Sequence, residues 1–297
     1  LKFITMTVPI FDIDRVVVCG RPNISTAVLQ LLMKNGIPTY FVSSKGRWLG
    51  AIWPDKNLNA ERRIRQYEKA RDANFAISVA KKLVSAKIRN SKRVLQRLSA
   101  NRNQSHFSRQ IDVCEKLDAL ENSLMKAENM DEVRGYEGMA AALYFKRLGD
   151  FFPENVPFKE RTRRPPKDAA NALLSWTYTI VLGEVDAAVR SHGLDPCIGC
   201  LHSISHGTPS LSLDLLEPLR PPLCDMLVLN ILNHKILTDE SFEFNAEDGG
   251  TYLKQTVRKD FFYSYETAMT RKFTLAKGES HTDFRLVIED AVVAFLK

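Results

Sequence analysis

Apolar residues along the chain change their spacing once, near Pro54 to Asn59. Before that point they come in short β-branched runs: Phe3 to Val8, Val16 to Val18, Ile37 to Val42, and Trp48 to Ile52 after a turn at Ser44 to Arg47. Runs of this kind, bounded by polar and glycine positions, predict strands. Between the second and third, Ser25 can cap a short helix over Thr26 to Lys34 that Gly36 ends. From Glu61 onward the spacing becomes helical, through Ile64, Tyr67, Ala70, Ile77, Ala80, Leu83, Val84 and Ile88. A polar break at Ala100 to Ser108 precedes a helix from about Gln110 to Lys126, and another begins near Asp131, whose carboxylate can cap it. A proline-rich loop, Phe152 to Lys167, leads to a long apolar helix from Asp168 to about Ser191. Beyond it the pattern predicts loop to Thr208, helix from about Leu211, a hairpin over Ser241 to Leu253, and helices over Lys254 to Phe273 and Asp283 to Phe295. The result is an α+β chain: a small β-rich unit over residues 1–58 and a larger all-α unit over 59–297. The first unit holds no constellation of metal or acid–base residues and reads as a structural or dimerisation module.

Composition narrows the class. With 297 residues and 44% apolar content the chain has ample core for two domains. No apolar run approaches the ~18 residues of a membrane span, and no charged-then-apolar leader is present, so a cytoplasmic location is expected. Charge is unevenly spread. From Ala60 to Gln110 fourteen Lys and Arg face three acids, a net of +11 against +7 for the whole chain, so the remainder sums to −4. Concentrated positive charge suits a polyanion such as nucleic acid. A second basic cluster, Lys159, Arg161, Arg163, Arg164 and Lys167, lies in the proline-rich loop. Five cysteines without a leader suggest reduced thiols, and Cys197-Ile-Gly-Cys200 lacks the second ligand pair of a zinc site.

Candidate chemistry gathers in Gly199 to Asp225, where His202, Asp214 and Glu217 stand among leucines and prolines. Asp214 and Glu217 are spaced i, i+3 and share one face of a helix. Two adjacent carboxylates repel unless a cation lies between them or one is protonated, and oxygen donors suit Mg²⁺ or Mn²⁺. Spacing alone equally allows Glu217 to pair with Arg220 while Asp214 caps or is solvated. Upstream, Glu137 stands between Gly135 and Gly138, small residues that would let a helix approach closely and bury it. His206, in a Ser-His-Gly-Thr-Pro loop, competes with His202 but is expected to be more exposed.

Four blocks then carry a resemblance: R-G-Y-E-G-M-A-A-A-L-Y-F from Arg134, N-A-L-L-S-W-T-Y from Asn171, G-C-L-H ending at His202, and S-L-S-L-D-L-L-E-P-L-R-P from Ser210. Together with R-Q-Y-E from Arg65, S-A-K-I-R-N from Ser85 and C-G-R-P-N-I-S-T from Cys19, they resemble the CRISPR-associated (Cas) metal-dependent DNA endonuclease family that integrates spacers. The ordered set runs over nearly the whole chain. It implies an N-terminal β-domain, whose first strand is missing here, joined to a helical catalytic domain. It further implies metal ligands at Glu137, His202 and Asp214, with Glu217 assisting in catalysis either as a further ligand or by supporting the residues that hold the ion. The family commonly has a basic residue near His206, and that departure leaves a DNA contact there unsupported.

The resemblance implies Mg²⁺ or Mn²⁺ as cofactor and double-stranded DNA, both prespacer and CRISPR repeat, as substrate. A 3′-hydroxyl of a short fragment attacks a phosphodiester at the repeat edge, or water attacks instead. DNA contacts are expected from Arg62, Arg63, Arg65, Lys81, Lys87, Arg89, Arg163 and Arg164, mainly to phosphates. Two ends must be joined, so a homodimer bridged by a small ferredoxin-like Cas partner protein is implied. Some relatives carry a fused nuclease upstream, and a start at Leu1 leaves room for such an exonuclease module, fused or separate. The rivals are a restriction-type nuclease, whose Glu-x-Lys is absent from this chain, and a non-catalytic helical DNA-binding protein with structural acids.

Overall fold

A computed structural model describes residues 6–13, 15–44, 48–54, 60–100, 104–275 and 281–296. The chain divides into two compact units, Leu1–Leu58 and Asn59–Lys297, and is α+β.

In the first unit, β1 (Val16–Cys19) runs parallel to β2 (Thr39–Val42), and α1 (Thr26–Lys34) makes the crossover. Ser25 Oγ accepts from Val28 N at 3.3 Å to cap α1, and Gly36, at φ 76°, turns the chain out of it. β3 (Trp48–Ile52) pairs antiparallel with β2. Tyr40 anchors the small core between the rings of Trp48 and Trp53, at 5.5 and 5.3 Å. The strand expected over Phe3 to Val8 is not formed where it can be seen: Met6 to Val8 are irregular and exposed, and a 3-10 turn, Ile10–Asp12, follows. β-branched residues without a neighbouring edge to pair with have only a weak preference to follow, and Pro9 supplies no N–H. Leu1 to Thr5 and the turn at Lys45 to Arg47 lie outside the described residues.

The second unit begins with α2 (Ala60–Arg71) and α3 (Ala73–Ser99), where a single helical run was expected. Asp72 separates them, its carboxylate accepting from Asn74 N and Phe75 N at 2.9 and 3.2 Å. α4 (Gln104–Met125) starts earlier than expected. α5 (Met130–Leu148) is capped by Asn129, which accepts from Glu132 N, and Asp131 instead sits in its first turn. Helices α3, α4 and α5 pack around Val84, Ile88, Leu95, Leu117, Leu124, Val133, Tyr144 and Leu148.

Next comes α6 (Ala169–Ser191), capped by Asp168. Its 18-residue window has mean hydropathy 1.2, enough by composition to cross a membrane, but 78% of that window is buried inside the protein. It is the central helix against which α7 (Ser210–Leu216), α8 (Met226–Asn233) and the hairpin of β4 (Phe242–Asn245) and β5 (Gly250–Leu253) pack. α9 (Arg258–Thr270) and α10 (Phe284–Leu296) close the unit.

Between α7 and α8 the backbone leaves α geometry, as a 3-10 turn at Glu217–Leu219 and a π-turn at Arg220–Asp225. Pro218, Pro221 and Pro222 explain it, since none has the N–H that an α-helix would donate four residues back. The Pro218 carbonyl, left without its helical donor, accepts instead from Asn90 Nδ2 on α3 at 2.8 Å. The proline run thereby ties the carboxyl end of α7 to α3.

Candidate active site

Asp214 organises the loop before α7. Its Oδ2 accepts from Cys200 N at 2.6 Å and Leu201 N at 2.9 Å, and its Oδ1 from His202 N at 2.9 Å. The imidazole Nδ1 of His202 lies 2.7 Å from the same Oδ1. Gly199 permits this wrap: a Cβ there would come 2.5 Å from Asp214 Oδ2 and 2.8 Å from Leu211 N. Ser212 Oγ donates to Asp186 on α6 at 2.9 Å and fixes α7 beneath the loop.

The protein itself occupies the acceptor positions of Asp214, the residue expected as a metal ligand. A carboxylate has about four acceptor positions, and all are taken, three by backbone N–H and one by His202. The side chain is fully buried and offers no open lone pair to a metal. As an acceptor-only partner it places the proton of His202 on Nδ1, leaving the Nε2 lone pair outward. That atom lies 3.7 Å from Glu217 Oε1.

Glu217, expected either as a further ligand or in support of the others, lies at a junction of three elements. The 3-10 turn after Leu216 carries it to the junction with α3 and α5. Arg220 Nη2 approaches Oε1 at 3.1 Å, and Lys87 Nζ of α3 approaches Oε2 at 2.6 Å. Burial works against the anion, but Arg220 and Lys87 outweigh it and hold the Glu217 carboxyl down at about 2. Of the alternatives left open by the spacing, the pairing of Glu217 with Arg220 is present, whereas Asp214 neither caps α7 nor is solvated.

Glu137 reaches the same point from α5, its Oε1 in a short contact with Lys87 Nζ. Gly135 and Gly138 do not serve a tight helix contact as expected. Both are exposed, and a Cβ on either would meet nothing within 4 Å.

Among the described residues no three His, Cys, Asp or Glu side chains converge as a ready-made metal cage. The donor set nevertheless fits a divalent ion. Two carboxylates from separate elements already share a cation, and an imidazole nitrogen lies 3.7 Å from one of them. Carboxylate oxygen with one imidazole suits Mg²⁺ or Mn²⁺.

Behind the site, Arg220 lies over the Tyr178 ring at 4.7 Å, and Asp225 accepts from Tyr178 and Tyr144 hydroxyls at 2.5 and 2.9 Å. Burial pushes the Asp225 carboxyl up to about 6, against the pull of the two tyrosines, Arg161 and Arg220. A raised folded value stabilises the protein below the ordinary carboxyl range, and that contribution is lost as pH rises through about 6. Asp225→Asn, permanently neutral, is expected to gain about 2 kcal/mol on the wild type between pH 4.5 and pH 7.5. Urea unfolding at both values measures it, and a stability difference independent of pH would contradict it.

The expected DNA contacts divide. Lys87 is buried between Glu137 and Glu217 and is unavailable to DNA. Arg62 donates to the His192 carbonyl, Lys81 Nζ to the Met125 carbonyl at 3.0 Å, and Arg89 pairs with Glu121 at 2.5 Å. Much of the basic face of α2 and α3 is therefore answered within the protein. Arg63 is half-buried, whereas Arg65, Arg163 and Arg164 are exposed. His206 is exposed in its loop. The five cysteines are free thiols, and burial, with Asp214 nearby, pushes Cys200 up to about 12. Sequence reasoning assigned Lys87 to DNA rather than to the two glutamates, and gave no role to Asn90 or Gln66. Gln66 Nε2 donates to the Asp195 and Ile198 carbonyls at 2.8 Å each, holding the loop that leads to His202.

Residues 4–267 match the family described as CRISPR associated protein Cas1. The chain is 32% identical over 286 residues to CRISPR-associated endonuclease Cas1 1 of Thermodesulfovibrio yellowstonii, spanning 96% of this chain and 89% of that protein. It is 34% identical over 269 residues to the CRISPR-associated exonuclease Cas4/endonuclease Cas1 fusion of Rhodospirillum rubrum, spanning 89% of this chain and 45% of the fusion. A solved casposase bound to integration product matches with a TM-score of 0.86 at 23% identity, over 96% of this chain and 78% of that one. A Cas6-RT-Cas1–Cas2 complex matches with a TM-score of 0.79 at 24% identity, over 95% of this chain and 30% of that one. The solved structures speak for the fold alone. With a family match over most of its length and a curated relative at 32% identity, the chain belongs to the Cas1 family of CRISPR-associated proteins.

Proposed function

We propose that the protein is a divalent-metal-dependent DNA endonuclease and integrase of CRISPR adaptation, joining 3′-hydroxyl ends of short fragments to the repeat. The observation that carries this is that Glu137 and Glu217, from separate elements, share the Lys87 ammonium while His202 Nε2 lies 3.7 Å from Glu217 Oε1, in a chain of this family. Its curated relatives are named endonucleases.

Glu137, His202 and Glu217 would hold Mg²⁺ or Mn²⁺, with Asp214 as a positioning residue. The bound ion would lower the pKa of the attacking hydroxyl and neutralise charge gathering on the phosphate oxygens. The protein's own part is positional. Asp214 holds the His202 ring and selects its tautomer, and Arg220 keeps Glu217 anionic and oriented. In joining, the 3′-oxygen forms a new bond to phosphorus as the repeat strand's P–O bond breaks. The hydroxyl proton ends on the released 3′-oxygen, and the number of phosphodiesters is unchanged. Gly135 and Gly138 favour the reading: glycine inside a helix costs about 0.5–1 kcal/mol. Neither packs against a neighbour, so the clearance beside Glu137 suits a DNA backbone.

Arg163, Arg164 and Arg65 are exposed and suited to phosphates. The small unit exposes Phe11, Val28, Leu31 and Leu49, apolar surface that a second copy of the chain would cover in a homodimer. A ferredoxin-like Cas2-type partner bridging two dimers and an exonuclease module, separate or fused, complete the assembly. A Cas1–Cas2 complex and a Cas4/Cas1 fusion among similar proteins support a Cas2 partner and an exonuclease module.

The test incubates the protein and such a partner with short duplexes, a supercoiled repeat plasmid and Mn²⁺ or Mg²⁺. Joined products are expected. Cutting without joining would reduce the proposal to a nuclease, and DNA binding with neither reaction would overturn it in favour of a non-catalytic DNA-binding protein.

A further inference from the structure

Lys87 stands where no metal-site or DNA-binding role accounts for it. On the inner face of α3, it is a buried lysine, 8% exposed. A lysine is seldom buried unless paired, and this one has two anions, Glu137 from α5 and Glu217 from the turn after α7. Three separate elements thus converge on a single ammonium. The charges are matched atom by atom: Arg220 takes Glu217 Oε1 at 3.1 Å, and Lys87 takes Oε2 at 2.6 Å.

Without a cation at that point, two carboxylates from different helices would repel across a buried gap. A divalent ion held by Glu137 and Glu217 would need the same oxygens, and it would lie against an ammonium of like charge. The two occupants therefore exclude each other. An ammonium on a flexible four-carbon stem can leave, unlike a guanidinium locked in a planar fork.

We infer that Lys87 is a resident cation of the metal-free site: it holds Glu137 and Glu217 in register, competes with the divalent ion for them, and so sets metal affinity below what the donor set alone would give. The inference rests on the metal site proposed above. It predicts an outcome that a merely structural lysine would not produce, since removing the residue tightens binding of a ligand.

The experiment is calorimetric titration of the full chain with Mn²⁺ alone, without DNA, together with thermal melting in the presence and absence of the ion. Wild type, Lys87→Met, Lys87→Gln, Lys87→Arg and Glu217→Gln are compared. Lys87→Met is expected to bind Mn²⁺ about tenfold more tightly than the wild type. It is also expected to melt lower without metal and to gain more from saturating metal. Lys87→Gln retains a donor but not the charge and shifts in the same direction, which keeps the test alive if the methionine variant folds poorly. Lys87→Arg binds no more tightly than the wild type. Saturable Mn²⁺ binding that Glu217→Gln removes, but that Lys87→Met and Lys87→Gln leave unchanged or weaken, overturns this inference alone. Wild-type protein with no saturable Mn²⁺ binding overturns the metal site, and the inference with it.

Discussion

Glu217→Gln is expected to lower strand joining by about a thousandfold, the loss of roughly 4 kcal/mol of transition-state stabilisation. Glutamine keeps the shape of the side chain but offers a neutral oxygen in place of an anion. The proposed ion would lose one of its two carboxylates at the point where Glu137 and His202 meet it. A stability cost accompanies the change. Lys87 and Arg220 are buried beside Glu217, and removing one partner of a buried ion pair leaves uncompensated charge, typically about 3 kcal/mol. Urea unfolding measures that term separately, so joining is compared only under conditions where the variant is folded. Joining within tenfold of the wild type in a folded variant would place the chemistry elsewhere.

The second large effect is expected from Gly199→Ala. A Cβ there would come 2.5 Å from Asp214 Oδ2, 2.7 Å from Ser210 C and 2.8 Å from Leu211 N. Two of these atoms are backbone, and the third is the buried carboxylate that accepts from Cys200, Leu201 and His202. None is the free end of a flexible side chain, so the loop must move as a unit. The expected cost is about 3 kcal/mol, a fall of about 8 °C in the melting midpoint for a unit of this size. Joining falls with it even below the new midpoint, because His202 travels with the displaced backbone. A wild-type melting midpoint would show that the loop has room and that Asp214 does not bind it as tightly as described.

Much of this fold was legible. The Ser25 cap and Gly36 stop bound α1 as the pattern predicts, and the long apolar run after Asp168 is α6. Helix starts were less secure where two polar residues compete: Asn129, not Asp131, caps α5, and Asp72 splits α2 from α3 inside an unbroken apolar period. The resident cation was in principle visible. Lys87 falls in line with Ala80, Val84, Ser91 and Val94, at alternating spacings of four and three, on the buried face of α3. Glu137 likewise falls in line with Val133, Ala140 and Tyr144 on α5. A charge on an inner stripe of each of two helices that pack together is a pair signal, and charge totals conceal it by scoring Lys87 with the solvated basic face.

The different surroundings of Asp214 and Glu217 were not legible. Their spacing suggests one helical face, but α7 ends at Leu216, and the prolines that follow turn Glu217 toward α3. Which acid faces an open ligand position depends on how many backbone N–H groups the loop at Cys200 to His202 aims at Asp214. Loop conformation decides that, and no residue spacing records it.

The most direct measurement of the central claim is anomalous scattering from crystals of the protein soaked with Mn²⁺. The account predicts one strong peak in the helical unit, contacted by the carboxylates of Glu137 and Glu217 and by His202 Nε2, with Asp214 still bound to its three backbone N–H groups and Lys87 Nζ moved away. A peak seated on Asp214, or a loaded site in which Lys87 still bridges the two glutamates, would contradict it.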